Sequence, residues 1–212
     1  MRRNVSVFVN GIMAGVLLAI GCAASMCAES KALGAFLFSL GLFAIITFDF
    51  GLYTGKAGYM ALKPPLYIKE VILTFFGNAT GTAIGGTLLH VTRFGNSFAI
   101  KASEIIDVKF SDNLISIFAL AVFCGILMFA AVDGNRKCRE KRNYAGALFS
   151  AVVPVMVFIV CSFNHCVADM AYFFISGCSH AAEAPVYFLM AVIGNAVGCM
   201  AIPVMKKLAA KK

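Results

Sequence analysis

The sequence predicts an all-α integral membrane protein with six transmembrane helices, arranged as an inverted 3+3 repeat whose second and fifth helices are broken. Three observations carry that expectation. Of the 212 residues, 61% are hydrophobic and 13% charged, against about 45–50% and ~25% in a soluble domain, and the mean hydropathy is +0.89. Too little polar surface remains to cover a water-soluble globule, and disordered, collagen-like and nucleic-acid-binding classes fail on the same count. Six apolar stretches are each long enough to cross a hydrocarbon core of about 30 Å, which takes about 20 residues. Basic residues crowd alternate connecting pieces, as they do where those pieces lie in the cytoplasm.

The first stretch, residues 7–26, follows Arg2 and Arg3. Residues 1–32 have the outline of a signal peptide, and Ala19-Ile20-Gly21-Cys22 that of a lipoprotein site. The position three before such a cysteine is usually larger than Ala19 and further spans follow, so an uncleaved first helix is expected. The second stretch, 32–53, runs on through Thr54-Gly55-Lys56 and Ala57-Gly58-Tyr59-Met60 until Pro64 and Pro65 end it. The third is 71–91 and the fourth 114–132. The fifth, 145–177, would be about 50 Å long as one helix, and its middle reads Cys161-Ser162-Phe163-Asn164-His165. The sixth is 186–204. Irregular backbone at membrane depth survives only when buried in protein or lining a cavity, so the second and fifth spans are expected to break there.

Fourteen basic residues lie on the side of the termini: Arg2 and Arg3, Lys56, Lys63 and Lys69, the run from Arg136 to Arg142, and Lys206, Lys207, Lys211 and Lys212. Four lie opposite, Lys31, Arg93, Lys101 and Lys109. This places a multi-pass chain in the cell (cytoplasmic or inner) membrane with both termini cytoplasmic. The third and sixth spans carry Gly77-Asn78-Ala79-Thr80-Gly81 and Gly194-Asn195-Ala196-Val197-Gly198, each just after a broken span. Three spans per repeat make the halves inverted, about 1–95 and 108–212 within one transport domain of 1–212. Paired broken helices in such a repeat mark a transport site near the midplane. Asn78 and Asn195, with their flanking glycines, are expected to pack helices together.

His165 is the leading pathway residue. An imidazole in mid-membrane is functional by default and exchanges protons near neutral pH, although packing against a neighbouring helix would also account for it. Thr54, at a glycine-flanked break, offers a hydroxyl and backbone N–H groups to a small anion, or merely relieves the interruption. Asp169, one turn after His165, either orients the ring or pairs with a lysine. Asp49 is costly in hydrocarbon unless paired or wetted. Lys109 either draws an anion to a pore mouth or is a solvated loop residue. Phe163 either narrows the passage or packs. The eight cysteines show no CxxC pair and no zinc spacing. No metal or cofactor is expected, and a single disulfide near the outer face stays open.

The stretch Phe163-Asn164-His165-Cys166-Val167-Ala168-Asp169-Met170 resembles the G-F-E-H-x-x-A-N-M signature of the formate/nitrite transporter family, with His165 on the central histidine. Leu52-Tyr53-Thr54-Gly55-Lys56 is similar to its E-L-F-T-G-N loop, and Gly194-Asn195-Ala196-Val197-Gly198 to its sixth-span G-N-x-x-G. Lys109 followed by Phe123-Cys124-Gly125-Ile126-Leu127 is similar to the family lysine followed by L-C-N-W-L. Asn164 stands where Glu is usual, Asp169 and Gly125 where Asn is usual. The resemblance implies an aquaporin-like protomer, a homopentamer with one pore per protomer, and passage of formate, then nitrite or hydrosulfide. The rivals are an aquaporin-like neutral-solute pore, which lacks its paired Asn-Pro-Ala signatures here, and a membrane enzyme, for which no metal cluster or nucleophile–base pair is present.

Overall fold

The computed structural model describes residues 2–210, and Lys211 and Lys212, counted above with the basic terminus, lie outside them. Nine α-helices form among the described residues: α1 (Arg2–Met26), α2 (Lys31–Thr47), α3 (Tyr53–Ala57), α4 (Tyr67–His90), α5 (Gly95–Phe110), α6 (Leu114–Glu140), α7 (Tyr144–Val160), α8 (Cys166–Ile175) and α9 (Ala184–Ala209). A 3-10 turn, Gly58–Ala61, follows α3. Helices α1, α4, α6 and α9 are long and apolar enough to cross a membrane. The other two apolar stretches are split, the second into α2 and α3, the fifth into α7 and α8. Helix α5 fills a connection with no expected helix. It buries Phe98, Ala102, Ile106 and Phe110 along one face.

Helices α1 and α4 run side by side in the same sense, because glycines remove the side chains between them. A Cβ on Gly15 would lie 2.3 Å from the Asn78 carbonyl oxygen, and one on Gly81 2.0 Å from that of Ile12. Helices α6 and α9 repeat the device: a Cβ on Gly125 would lie 2.3 Å from the Asn195 carbonyl oxygen, and one on Gly198 2.0 Å from that of Val122. Contact of this closeness is how small residues hold helices together where no hydrophobic force acts between them.

The starts of α1 and α4 meet at Arg3 and Glu70, 2.9 Å apart, and the C-terminal turns of α6 and α9 share a cavity with Tyr59. This is the near end of the bundle. At the far end the Lys101 ammonium on α5 donates to the Met26 carbonyl, the last residue of α1. Large apolar side chains such as Phe36, Leu40, Phe43, Phe76, Ile84, Leu88, Leu189 and Ile193 point outward, the surface that a bilayer or neighbouring protomers cover.

Candidate transport site

Both broken helices stop in the same way. In α2, Asp49 adopts a left-handed backbone (φ 53°), Asp49 N donates to Ile46 O and Phe50 N to Ile45 O. In α7, Ser162 (φ 56°) does likewise, with Ser162 N to Ile159 O and Phe163 N to Phe158 O. These paired bonds form a Schellman cap, which turns the chain out of the helix while satisfying its last carbonyls. The chain restarts after three more residues, with Leu52 at the N-cap of α3 and His165 at the N-cap of α8.

Each restart is clamped by an asparagine from the following helix. The Asn78 side chain accepts from Tyr53 N (2.8 Å) and donates to Gly51 O (2.8 Å) and to Gly11 O (2.9 Å). The Asn195 side chain accepts from Cys166 N (2.9 Å) and donates to Asn164 O (2.8 Å) and to Ala121 O (2.7 Å). Both asparagines are fully buried. A carboxamide carries one acceptor and two donors in a fixed plane, so each clamp spends all three on the break and on α1 or α6.

The two breaks meet at His165 and Thr54, whose Nε2 and Oγ1 lie 3.1 Å apart. His165 Nδ1 accepts from Ala168 N at 3.0 Å, so the imidazole caps α8. With Nδ1 accepting, the hydrogen of the neutral ring sits on Nε2 and is donated to Thr54, whose hydroxyl hydrogen stays available to another acceptor. The Phe158 ring stacks on the imidazole at 5.5 Å, and the Cys199 thiol donates to Thr54 O at 3.1 Å.

Lys109 lies in the last turn of α5, buried rather than in a solvated loop. Its Nζ donates to Asp169 Oδ1 (3.0 Å), Phe163 O (3.0 Å) and Asn164 Oδ1 (3.1 Å), with Ser162 O at 3.5 Å. Asp169 Oδ2 accepts from the Tyr187 hydroxyl at 2.7 Å. Asn164 also donates to Ile117 O at 3.3 Å, and Phe163 stacks on Phe123 at 5.6 Å.

Two cavities approach the His165–Thr54 pair from opposite ends. The far one, about 290 Å³, is lined by Glu29, Lys31, Lys109, Phe158, Phe163 and Asp169 among others. The near one, about 480 Å³, is lined by Asp49, Leu52, Lys56, Glu70, Val132 and Arg136 among others. His165 and Thr54 line neither and are almost wholly buried. The structure thus brings Thr54, Asn164, His165, Lys109 and Asp169 into one cluster, sets Phe163 on the far cavity and leaves Asp49 exposed on the near one.

Tyr187 and Phe158 were not anticipated. Each lies in a long apolar stretch, where nothing in its neighbours distinguishes it from a packing aromatic. The Lys56–Glu70 pair (2.8 Å) was also missed, since its partners straddle the Pro64-Pro65 turn. Among the described residues all eight cysteines are free, and no cluster of His, Cys, Asp and Glu is placed to hold a metal.

Residues 1–208 match the family described as formate/nitrite transporter. A solved structure of a "pentameric formate channel with formate bound" superposes with a TM-score of 0.78 at 22% identity, covering 99% of this chain and 98% of that one. An "FNT family ion channel" gives 0.79 at 16% identity, covering 98% and 89%. No curated protein matches the chain.

Proposed function

The chain belongs to the formate/nitrite transporter family, a family of membrane transport proteins rather than enzymes, and on that premise we propose that it passes small monovalent weak-acid anions across the cell (inner) membrane. Formate is the first candidate and nitrite or hydrosulfide the next, and passage is pH-dependent and coupled to a proton. Six crossings in two inverted halves, with both termini cytoplasmic, would be built from α1, α2 with α3, and α4, then α6, α7 with α8, and α9. The repeated Schellman caps and asparagine clamps support that division. A homopentamer is supported by the pentameric formate channel it superposes on, and one pore per protomer is what the family resemblance implies.

The observation that carries this reading is the His165–Thr54 pair, held between opposing cavities where the two broken helices meet. A bare anion in a low-dielectric interior is expensive, and its conjugate acid far less so. The Thr54 hydroxyl offers one hydrogen bond to a solute oxygen at that depth, reinforced by the imidazole behind it. A second proton reaches the ring only at Nδ1, which opens the Ala168 cap. Two titrations therefore shape the flux, that of the solute and that of an uncapped His165.

His165→Asn separates them, because asparagine is a good N-cap and does not titrate. In liposomes, formate flux through His165→Asn should follow the acid fraction of formate alone, while the wild type departs from it. Identical pH profiles would dispose of the proton role of His165. A second reading, the aquaporin-like neutral-solute pore, draws on the pairing of Lys109 with Asp169, which cancels the charge of the buried lysine. Swelling of liposomes in glycerol but not in formate would favour it.

A further inference from the structure

Lys109 has no hydrogen left to offer. An ammonium group carries three donors, and Asp169 Oδ1, Phe163 O and Asn164 Oδ1 take them at 3.0, 3.0 and 3.1 Å. Two of these acceptors belong to the segment between α7 and α8, so the lysine also satisfies backbone that the break sets free. The Asp169 carboxylate is equally committed, with Lys109 on one oxygen and the Tyr187 hydroxyl on the other. It is buried in the first turn of α8, one turn beyond His165. The remaining charges on the far cavity, Glu29 and Lys31, also oppose each other in sign. That vestibule presents no net charge.

We infer that Asp169 sets the charge selectivity of the pore: its carboxylate occupies the place on Lys109 that a permeating anion would otherwise take. The far-end site therefore prefers the uncharged conjugate acid to the bare anion. An incoming carboxylate has to displace one that is covalently tethered, already desolvated and held by a second hydrogen bond. A neutral acid needs no such exchange and passes by the Thr54 hydroxyl. Substitution by asparagine keeps the shape and a hydrogen-bonding oxygen but leaves the lysine's charge uncompensated, and an uncompensated buried cation is a strong attractor for an anion.

This inference rests on the weak-acid reading above, and the experiment tells the two apart. The full chain in liposomes is given formate, driven either by a pH gradient or by an imposed membrane potential at equal pH. Wild-type uptake should follow the pH gradient and ignore the potential. In Asp169→Asn the potential-driven flux should rise about tenfold relative to the gradient-driven flux, the factor that 1.4 kcal/mol supplies. Asp169→Glu, which keeps a carboxylate, should bring the ratio back toward the wild-type value. An unchanged ratio in Asp169→Asn, or potential-driven flux dominating in the wild type, overturns the inference while leaving the weak-acid pore standing. No formate uptake by the wild type under either drive defeats both. Should Asp169→Asn fail to fold, Asp169→Ser takes its place, with the same expected rise and the same overturning result.

Discussion

At the scale of single residues, the two asparagine clamps matter more to stability than their number suggests. Asn195 satisfies the Cys166 N–H and the Asn164 and Ala121 carbonyls within a fully buried environment. Truncation to alanine would leave the Cys166 N–H and the Asn164 carbonyl without partners, where water is not at hand to replace them, while the Ala121 carbonyl keeps its bond within α6. Each such group costs about 1–3 kcal/mol, so Asn195→Ala should lose several kcal/mol and melt well below the wild type in a detergent thermal scan. Asn78→Ala should behave alike, for it holds the same three kinds of group. Sequence alone placed these asparagines at helix contacts but did not show that they carry the breaks. That role depends on the register between a helix end and a residue in the next span, and no local pattern records it.

At the scale of elements, the close pairs α1–α4 and α6–α9 are set by backbone approach rather than by side-chain fit. Gly198→Val would bring new atoms within 2.0 Å of the Val122 carbonyl oxygen, and backbone cannot yield to that degree within a packed helix pair. The expected result is loss of folded protein, read as aggregation in gel filtration after extraction. An alanine at the exposed helix position Ile193 makes the matched control. The breaks in α2 and α7 were legible because polar and glycine residues interrupt stretches too long for one crossing. The α5 helix was not, since Lys101, Glu104, Asp107 and Lys109 disguise its apolar face as a charged loop. Lys109 goes with it: the sequence leaves it between a pore mouth and a solvated loop, and only the helix shows it turned inward onto Asp169.

At the scale of the whole molecule, charge ties the near end together across elements distant in sequence. Glu70 on α4 receives Lys56 from α3 and Arg3 from α1. The Lys56 hydrogen bond, with that of Arg3, holds its carboxyl below the ordinary value of 4.5 despite some opposing burial. A carboxylate with a lowered folded-state pKa stabilises fully above its unfolded value and ceases to do so as pH falls through the folded one. Glu70→Gln should therefore lower stability modestly at neutral pH, where the carboxylate is paired, and flatten the acid limb so that variant and wild type converge as pH falls below about 4.5. Asp133 contributes in the same direction. Burial pushes its carboxyl up, but hydrogen bonds from Arg136, Lys137 and Tyr59 outweigh that and bring it below the usual range.

The matching caps and clamps also show where the two halves part company. Leu52 and His165 occupy the same position, the N-cap of each restarted helix, and only one of them is polar. The far end holds the vestibule of the Lys109–Asp169 pair, on the side of the ring. The near end holds a second charged vestibule, where the Lys56–Glu70 pair and Arg136 stand beside Leu52 and Val132. The two restarts thus share a scaffold but not a chemistry, a titratable ring capping one and an aliphatic residue the other.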